Sequence, residues 1–299
     1  MSQPNLKVIN HEPLKCGEGP LWDIEKQKLY WTDALGTSLW EYDRATETSR
    51  QISNNRQAGS LIFHAEGGFV LPTVEDGFVH WKSDDDVRVV ADTCDGKPVN
   101  LVNEITADSR GRVFGGQEMY KEDEPYEPGY LYRVDINGDV SIIEEGIIIG
   151  NGMGFSLDDS TFYLVDTIER VVYAYDYDVE TGAISNRRDL VNVPIEEGMP
   201  DGLTIDSEGF IWVARWFGAG ITRYDPDGKV ERTIDFPVAQ TSSVMFGGKD
   251  LNEIYVTSAS MYWESPLAPP GHDYSMPRGG PTFRLIQDIQ GRPDNIARV

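Results

Sequence analysis

The chain has 299 residues, 39% of them hydrophobic and 11% aromatic, which is enough for a large packed interior. Its net charge is −24, and that excludes a nucleic-acid or anionic-membrane partner, since neutralising phosphate needs clustered Lys and Arg. Two cysteines, Cys16 and Cys94, exclude a disulfide framework and point to a reducing, cytoplasmic compartment.

The start, Met1 to Asn5, lacks a basic region followed by an apolar core, so no signal peptide is expected, and no apolar run reaches transmembrane length. Residues 5–12 alternate apolar and polar and read as a strand that the last structural unit borrows from the opposite terminus. A motif then begins at Glu18-Gly19-Pro20-Leu21-Trp22-Asp23: a polar residue, glycine, a short apolar run, then a turn. Close copies are Asn151-Gly152-Met153-Gly154-Phe155-Ser156 and Asp201-Gly202-Leu203-Thr204-Ile205-Asp206, with weaker ones opening at Ala58, Asn103 and Ser242. The spacings run from 40 to 50 residues, the period of a four-stranded propeller blade. One domain over 1–299 follows: an all-β, six-bladed β-propeller closed by the N-terminal strand.

Between copies lie aromatic and β-branched runs bounded by turn residues, such as Lys28 to Asp33, Ser160 to Asp166 and Gly209 to Ala214. Asp84-Asp85-Asp86 reads as a solvated turn. Asp176 to Gly182 imitates part of a calcium loop but lacks the downstream glutamate, so it too reads as a turn. Two segments are too long for hairpins: Tyr120 to Gly129, a loop overhanging the axis, and the proline-rich Tyr262 to Gly280, a stiff aromatic flap.

If each copy opens the innermost strand of its blade, Glu18, Asn103, Asn151 and Asp201 meet at one pole of the axis. Hard oxygen donors of that kind suit Ca²⁺ first, then Mg²⁺ or Mn²⁺, with Zn²⁺ less natural. Two neighbouring carboxylates would repel without a cation or proton between them. A nucleophile elbow, a zincin motif and a phosphate loop are all missing, and His64 reads as a packing residue.

The motifs Cys16 to Trp22, Asn151 to Asp158, Pro200 to Leu203 and Phe246 to Leu251 resemble the senescence-marker-protein/gluconolactonase family. The resemblance covers essentially the whole chain. It implies a single divalent ion held by Glu18, Asn151 and Asp201, with Asp201 also the catalytic base. It further implies hydrolysis of a sugar lactone or related ester, with Asn103, Leu101, Glu104, Glu118 and Tyr120 facing the substrate. Leu101 stands where many members carry a hydroxyl-binding Arg, which suits a less polar or differently shaped substrate. An esterase, a phosphotriesterase-like hydrolase, a metal-assisted lyase or a calcium-binding regulatory propeller are the other expectations. A closed ring has no obligatory dimer surface, so a monomer is expected.

Overall fold

The computed structural model describes residues 6–122, 124–261 and 264–299. Six four-stranded antiparallel sheets form the blades of a propeller. Their innermost strands are Gly17–Asp23, Ile62–Phe63, Val102–Ala107, Gly150–Phe155, Met199–Ile205 and Thr241–Gly247. The ring closes as expected: Lys7–Asn10 pairs with Thr282–Ile286 and becomes the outermost strand of blade six. Helix among the described residues is confined to one 3-10 turn, Ile195–Glu197.

A blade cannot bury its two faces alone, and the core is distributed accordingly. Six apolar clusters each combine residues of two adjacent blades. Trp22, Leu29 and Trp31 of blade one meet Tyr255 of blade six, and Phe155 and Phe162 of blade four meet Phe114 of blade three. Burying each large side chain contributes roughly 1.5–3 kcal/mol, so the interfaces between blades carry the stability of the ring.

Five of the six innermost strands shift register close to the start of the repeat, between Glu18 and Leu21, Val102 and Glu104, Gly150 and Met153, Pro200 and Leu203, and Thr241 and Val244. Such bulges bend a strand and re-aim its side chains. The glycine of the four copies that carry one has a steric reason. A Cβ on Gly152 would lie 2.7 Å from the Asp201 carbonyl oxygen, and one on Gly19 would lie 2.7 Å from Ser60 Cα. Neighbouring inner strands therefore approach too closely there for any side chain.

Some details differ from the sequence expectation. The inner strand of blade two spans only two residues, and Ala58 makes an isolated bridge to Thr73 instead of opening it. The strand Val171–Asp178 runs through the apparent calcium loop, leaving only 179–182 as the turn. Asp84 does sit in a turn, but it is bonded there, accepting from Ser53 Oγ and Trp81 Nε1 at 2.6 and 3.2 Å. Residues 291–299 cross the face opposite the repeat openings, bridging Asp206 and His64, a path without a periodic signal. Asn5, Tyr262 and Trp263 lie outside the described residues.

One ionic tie of blade five is buried. Asp206 accepts from Arg223 Nε at 2.8 Å, Trp212 Nε1 at 2.9 Å and the backbone N–H groups of Glu208 and Phe210. Removing the carboxylate takes the acceptor from Trp212 Nε1 and two backbone N–H groups and leaves Arg223 only its outer partners, Glu208 at 2.6 Å and Glu231 at 3.2 Å, at about 3–5 kcal/mol in all. Asp206→Ala should lower the thermal midpoint by roughly 6–10 °C, scaling that cost by about 2 °C per kcal/mol for a chain of this size. A midpoint within 2 °C of wild type would contradict that assignment of the tie.

Candidate functional site

The bulged openings bring Glu18, Asn103, Asn151 and Asp201 to the lining of one cavity of about 490 Å³ at the mouth of the axis. Leu101, Glu118 and Tyr120 line it as well. Glu104 does not; it lines a separate narrow cavity of about 70 Å³ further along the axis, together with Arg292, Asp294 and Asn295. Both long segments contribute walls: Lys121 and Glu122 from the loop, Ser265 and Leu267 from the flap. Asp123, within the loop, lies outside the described residues.

The floor is polar and closed. Asp201, Asn151 and Glu18 are only 3%, 5% and 6% exposed. Asn151 Nδ2 donates to Asp201 Oδ1 and, at 3.1 Å, to Thr167 Oγ1. Its other atom, Oδ1, is buried with no hydrogen-bond partner. An orphaned buried carbonyl costs about 1–3 kcal/mol, so a native protein retains one only where something else satisfies it. Glu18 has weak local bonds alone, from Gly19 N–H at 3.4 Å and from the Cys16 thiol at 3.8 Å.

Acidic groups dominate the site. Burial pushes the Glu18 carboxyl well above its ordinary range, and the neighbouring Asp201 and Glu104 push it further. Asp201 is raised in the same way by burial and by Glu104, against the lowering effect of Asn151. Burial lifts Glu104 to about 8 and raises Glu118 too. Lys121 is the single basic side chain on the described cavity lining, and its Nζ is 3.2 Å from Glu124. Two buried carboxylates and an unpartnered amide oxygen fit a hard divalent cation by donor chemistry. The residues present therefore suit the ion implied by the sequence resemblance.

A second cluster has metal-ligand composition: candidate atoms of His64, Glu66 and His80 lie within 4.8 Å of one another. Its ring nitrogens are already engaged. His64 Nδ1 accepts from Glu66 N–H at 3.1 Å and Nε2 bonds the Val299 carbonyl at 2.9 Å, while His80 Nε2 bonds the Gly67 carbonyl at 2.7 Å. The rings meet at a 33° tilt with centroids 3.8 Å apart, a packed clamp on the C-terminal stretch that agrees with the packing role read for His64.

Fold and centre together define a propeller with one carboxylate-amide site on its axis. The chain belongs to the SMP-30/gluconolactonase/LRE-like family, whose model matches residues 16–260. It is 38% identical over 281 residues to pentonolactonase XacC of Haloferax volcanii, covering 94% of each chain. It is also 34% identical over 264 residues to regucalcin of Xenopus laevis, covering 87% of this chain and 88% of that one. Among solved structures, a luciferin-regenerating enzyme superposes with a TM-score of 0.84 at 27% identity, over 99% of this chain and 100% of the other.

Carboxyls whose protons are held more tightly in the folded than in the unfolded chain make stability fall as pH rises. For Glu104 the window runs from the ordinary value of 4.5 to about 8, with Glu18 and Asp201 acting in the same direction. EDTA-treated protein should therefore melt several degrees lower at pH 8 than at pH 5.5. Saturating Ca²⁺ should remove most of that difference. A flat pH profile in scanning calorimetry would contradict the burial of these groups as charges.

Proposed function

We propose that this chain is a divalent-metal-dependent lactonase that hydrolyses a sugar lactone or a related cyclic ester. The reading is carried by the unpartnered Asn151 Oδ1 on the floor that it shares with Glu18 and Asp201. Similarity to a pentonolactonase over nearly the full length of both chains supports the substrate class.

Glu18, Asn151 and Asp201 would hold the ion, with Ca²⁺ favoured by their hard oxygen donors. Such an ion supplies Lewis acidity toward a carbonyl and toward water. Asp201 serves as the base: burial raises its proton affinity above that of an ordinary carboxylate, the direction that accepting a proton from water requires. Asn151 Nδ2 donates to Asp201 and fixes its orientation. Asn103 reaches the same cavity with its amide held by the Gly150 carbonyl at 3.4 Å, ready to contact substrate or water. Glu118 and Tyr120 face the substrate from the loop side, and Glu104 acts on the centre through its charge. The walls exclude water through Leu101, Met119, Met199, Trp216 and Leu267.

That apolar wall also favours a second reading, hydrolysis of a less polar ester or phosphotriester at the same centre. A panel of aldonolactones, simple γ-lactones, aryl esters and phosphotriesters separates the two. EDTA-treated protein should be inactive, and Ca²⁺, Mg²⁺, Mn²⁺ or Zn²⁺ should restore turnover of lactones. Glu18→Ala and Asp201→Ala should lose at least about 10³-fold in kcat/KM, the scale of removing a metal or general-base contribution, with circular dichroism unchanged. Full activity in either variant would sink the proposal, and ion binding without turnover of any member would leave a calcium-binding role.

Leu101 gives a separate specificity test. Leu101→Arg places five donors on the cavity rim and should shift relative kcat/KM toward hydroxyl-rich aldonolactones by about tenfold, one charged hydrogen bond's worth. An unchanged ratio would show that this rim position does not read the substrate.

A further inference from the structure

Cys16 stands two residues before Glu18, the spacing that puts both side chains on one face of an extended segment. The equivalent residues of three other blades are Leu101 before Asn103, Ile149 before Asn151 and Met199 before Asp201. All four line the cavity, so they form a collar around the polar floor. Three members are aliphatic or thioether side chains. Cys16 alone brings a hydrogen-bond donor to it.

That donor meets the floor residue with least support. Asp201 is tied to Asn151, and Asn151 to Thr167. Glu18 has one more rotatable bond than either neighbour, and its local bonds are the Gly19 N–H at 3.4 Å and the Cys16 thiol, with Sγ 3.8 Å from Oε1. The backbone that carries the thiol is held firmly. Cys16 N–H donates to Asp33 Oδ1 at 2.9 Å, Lys15 N–H to Asp33 Oδ2 at 3.2 Å, and Ala34 N–H to the Cys16 carbonyl at 2.7 Å. An antiparallel bridge to Ala259 fixes the other side. At 7% exposure, Cys16 packs in place as well as donating.

We infer that Cys16 is a positioning residue of the axial centre: its thiol donates to Glu18 Oε1 and holds that carboxylate in the rotamer that lines the cavity beside Asn151 and Asp201. The inference rests on the metal reading for its consequence, since a preset carboxylate binds an ion without first losing side-chain freedom. The contact itself does not depend on an ion.

The test therefore has two readouts. The first is the infrared S–H stretch of EDTA-treated protein, taken as wild type minus Cys16→Ser so that Cys94 cancels. The Cys16 band should be displaced to lower frequency and should return toward the free-thiol position in Glu18→Leu, which keeps the bulk and has no acceptor. A band indifferent to Glu18→Leu would overturn the inference whether or not the protein binds metal. The second is Ca²⁺ affinity by titration calorimetry. Cys16→Val keeps the bulk and removes the donor, and should weaken Ca²⁺ binding by about tenfold, the low end of losing a partner that orients a ligand. Cys16→Ser should fall between Val and wild type. Unchanged affinity in Cys16→Val and Cys16→Ala, with wild type binding normally, would also overturn it. If wild type bound no divalent ion while the band responded to Glu18, the metal reading would fail and the contact would stand.

Discussion

The molecule depends on how closely six inner strands can approach one axis. Where Glu18, Asn151 and Asp201 turn inward, the neighbour's backbone passes alongside, and the residue that follows each of them leaves no room for a Cβ. Gly152 against Asp201 and Gly19 against Ser60 show that limit directly. The register shifts that follow let the strand bend inward and then rejoin its blade. Without them the polar residues would not leave the plane of their sheets.

That convergence creates an electrostatic problem which a packed fold does not solve by itself. Glu18 and Asp201 are almost fully buried with no Lys or Arg beside them among the described floor residues, and Glu104 and Glu118 add to the same field. Elsewhere the chain neutralises buried carboxylates with partners: Arg112 and Tyr177 for Asp108, Arg223 and Trp212 for Asp206. The same chain knows how to pair a buried acid, and at the axis it leaves the acids unpaired. A site kept at a cost in stability is the expected mark of function.

Legibility followed periodicity. A motif of polar residue, glycine and apolar run repeats because its steric demand repeats, so the blades and the meeting of Glu18, Asn103, Asn151 and Asp201 could be read from spacing. Glu104 resisted, because one step along a strand moves a side chain to another face, and it lines the lower cavity instead. Cys16 resisted for a different reason. Its role depends on a contact with Glu18, and a cysteine in an apolar position looks like any small core residue. The path of residues 291–299 carried no signal, since its ties run through backbone groups such as the Ala297 N–H to the Phe63 carbonyl.

Chemistry and selectivity are built from different parts of this fold. The floor comes from strand openings locked by blade packing, so the backbone that carries Glu18, Asn151 and Asp201 is set by the ring. The walls come from collar and loop positions such as Leu101, whose φ of 53° holds it at the rim with 39% of its surface exposed, and Leu267, whose carbonyl is clasped by Arg170 at 3.1 Å. Substitutions at Leu101 or Leu267 leave Glu18, Asn151 and Asp201 where they are, because neither fixes a floor side chain. Cys16 is the exception, since it belongs to the collar by position and to the floor by contact. Three of the four collar residues can therefore change the wall alone, while the fourth, beside Glu18, is coupled to the centre itself.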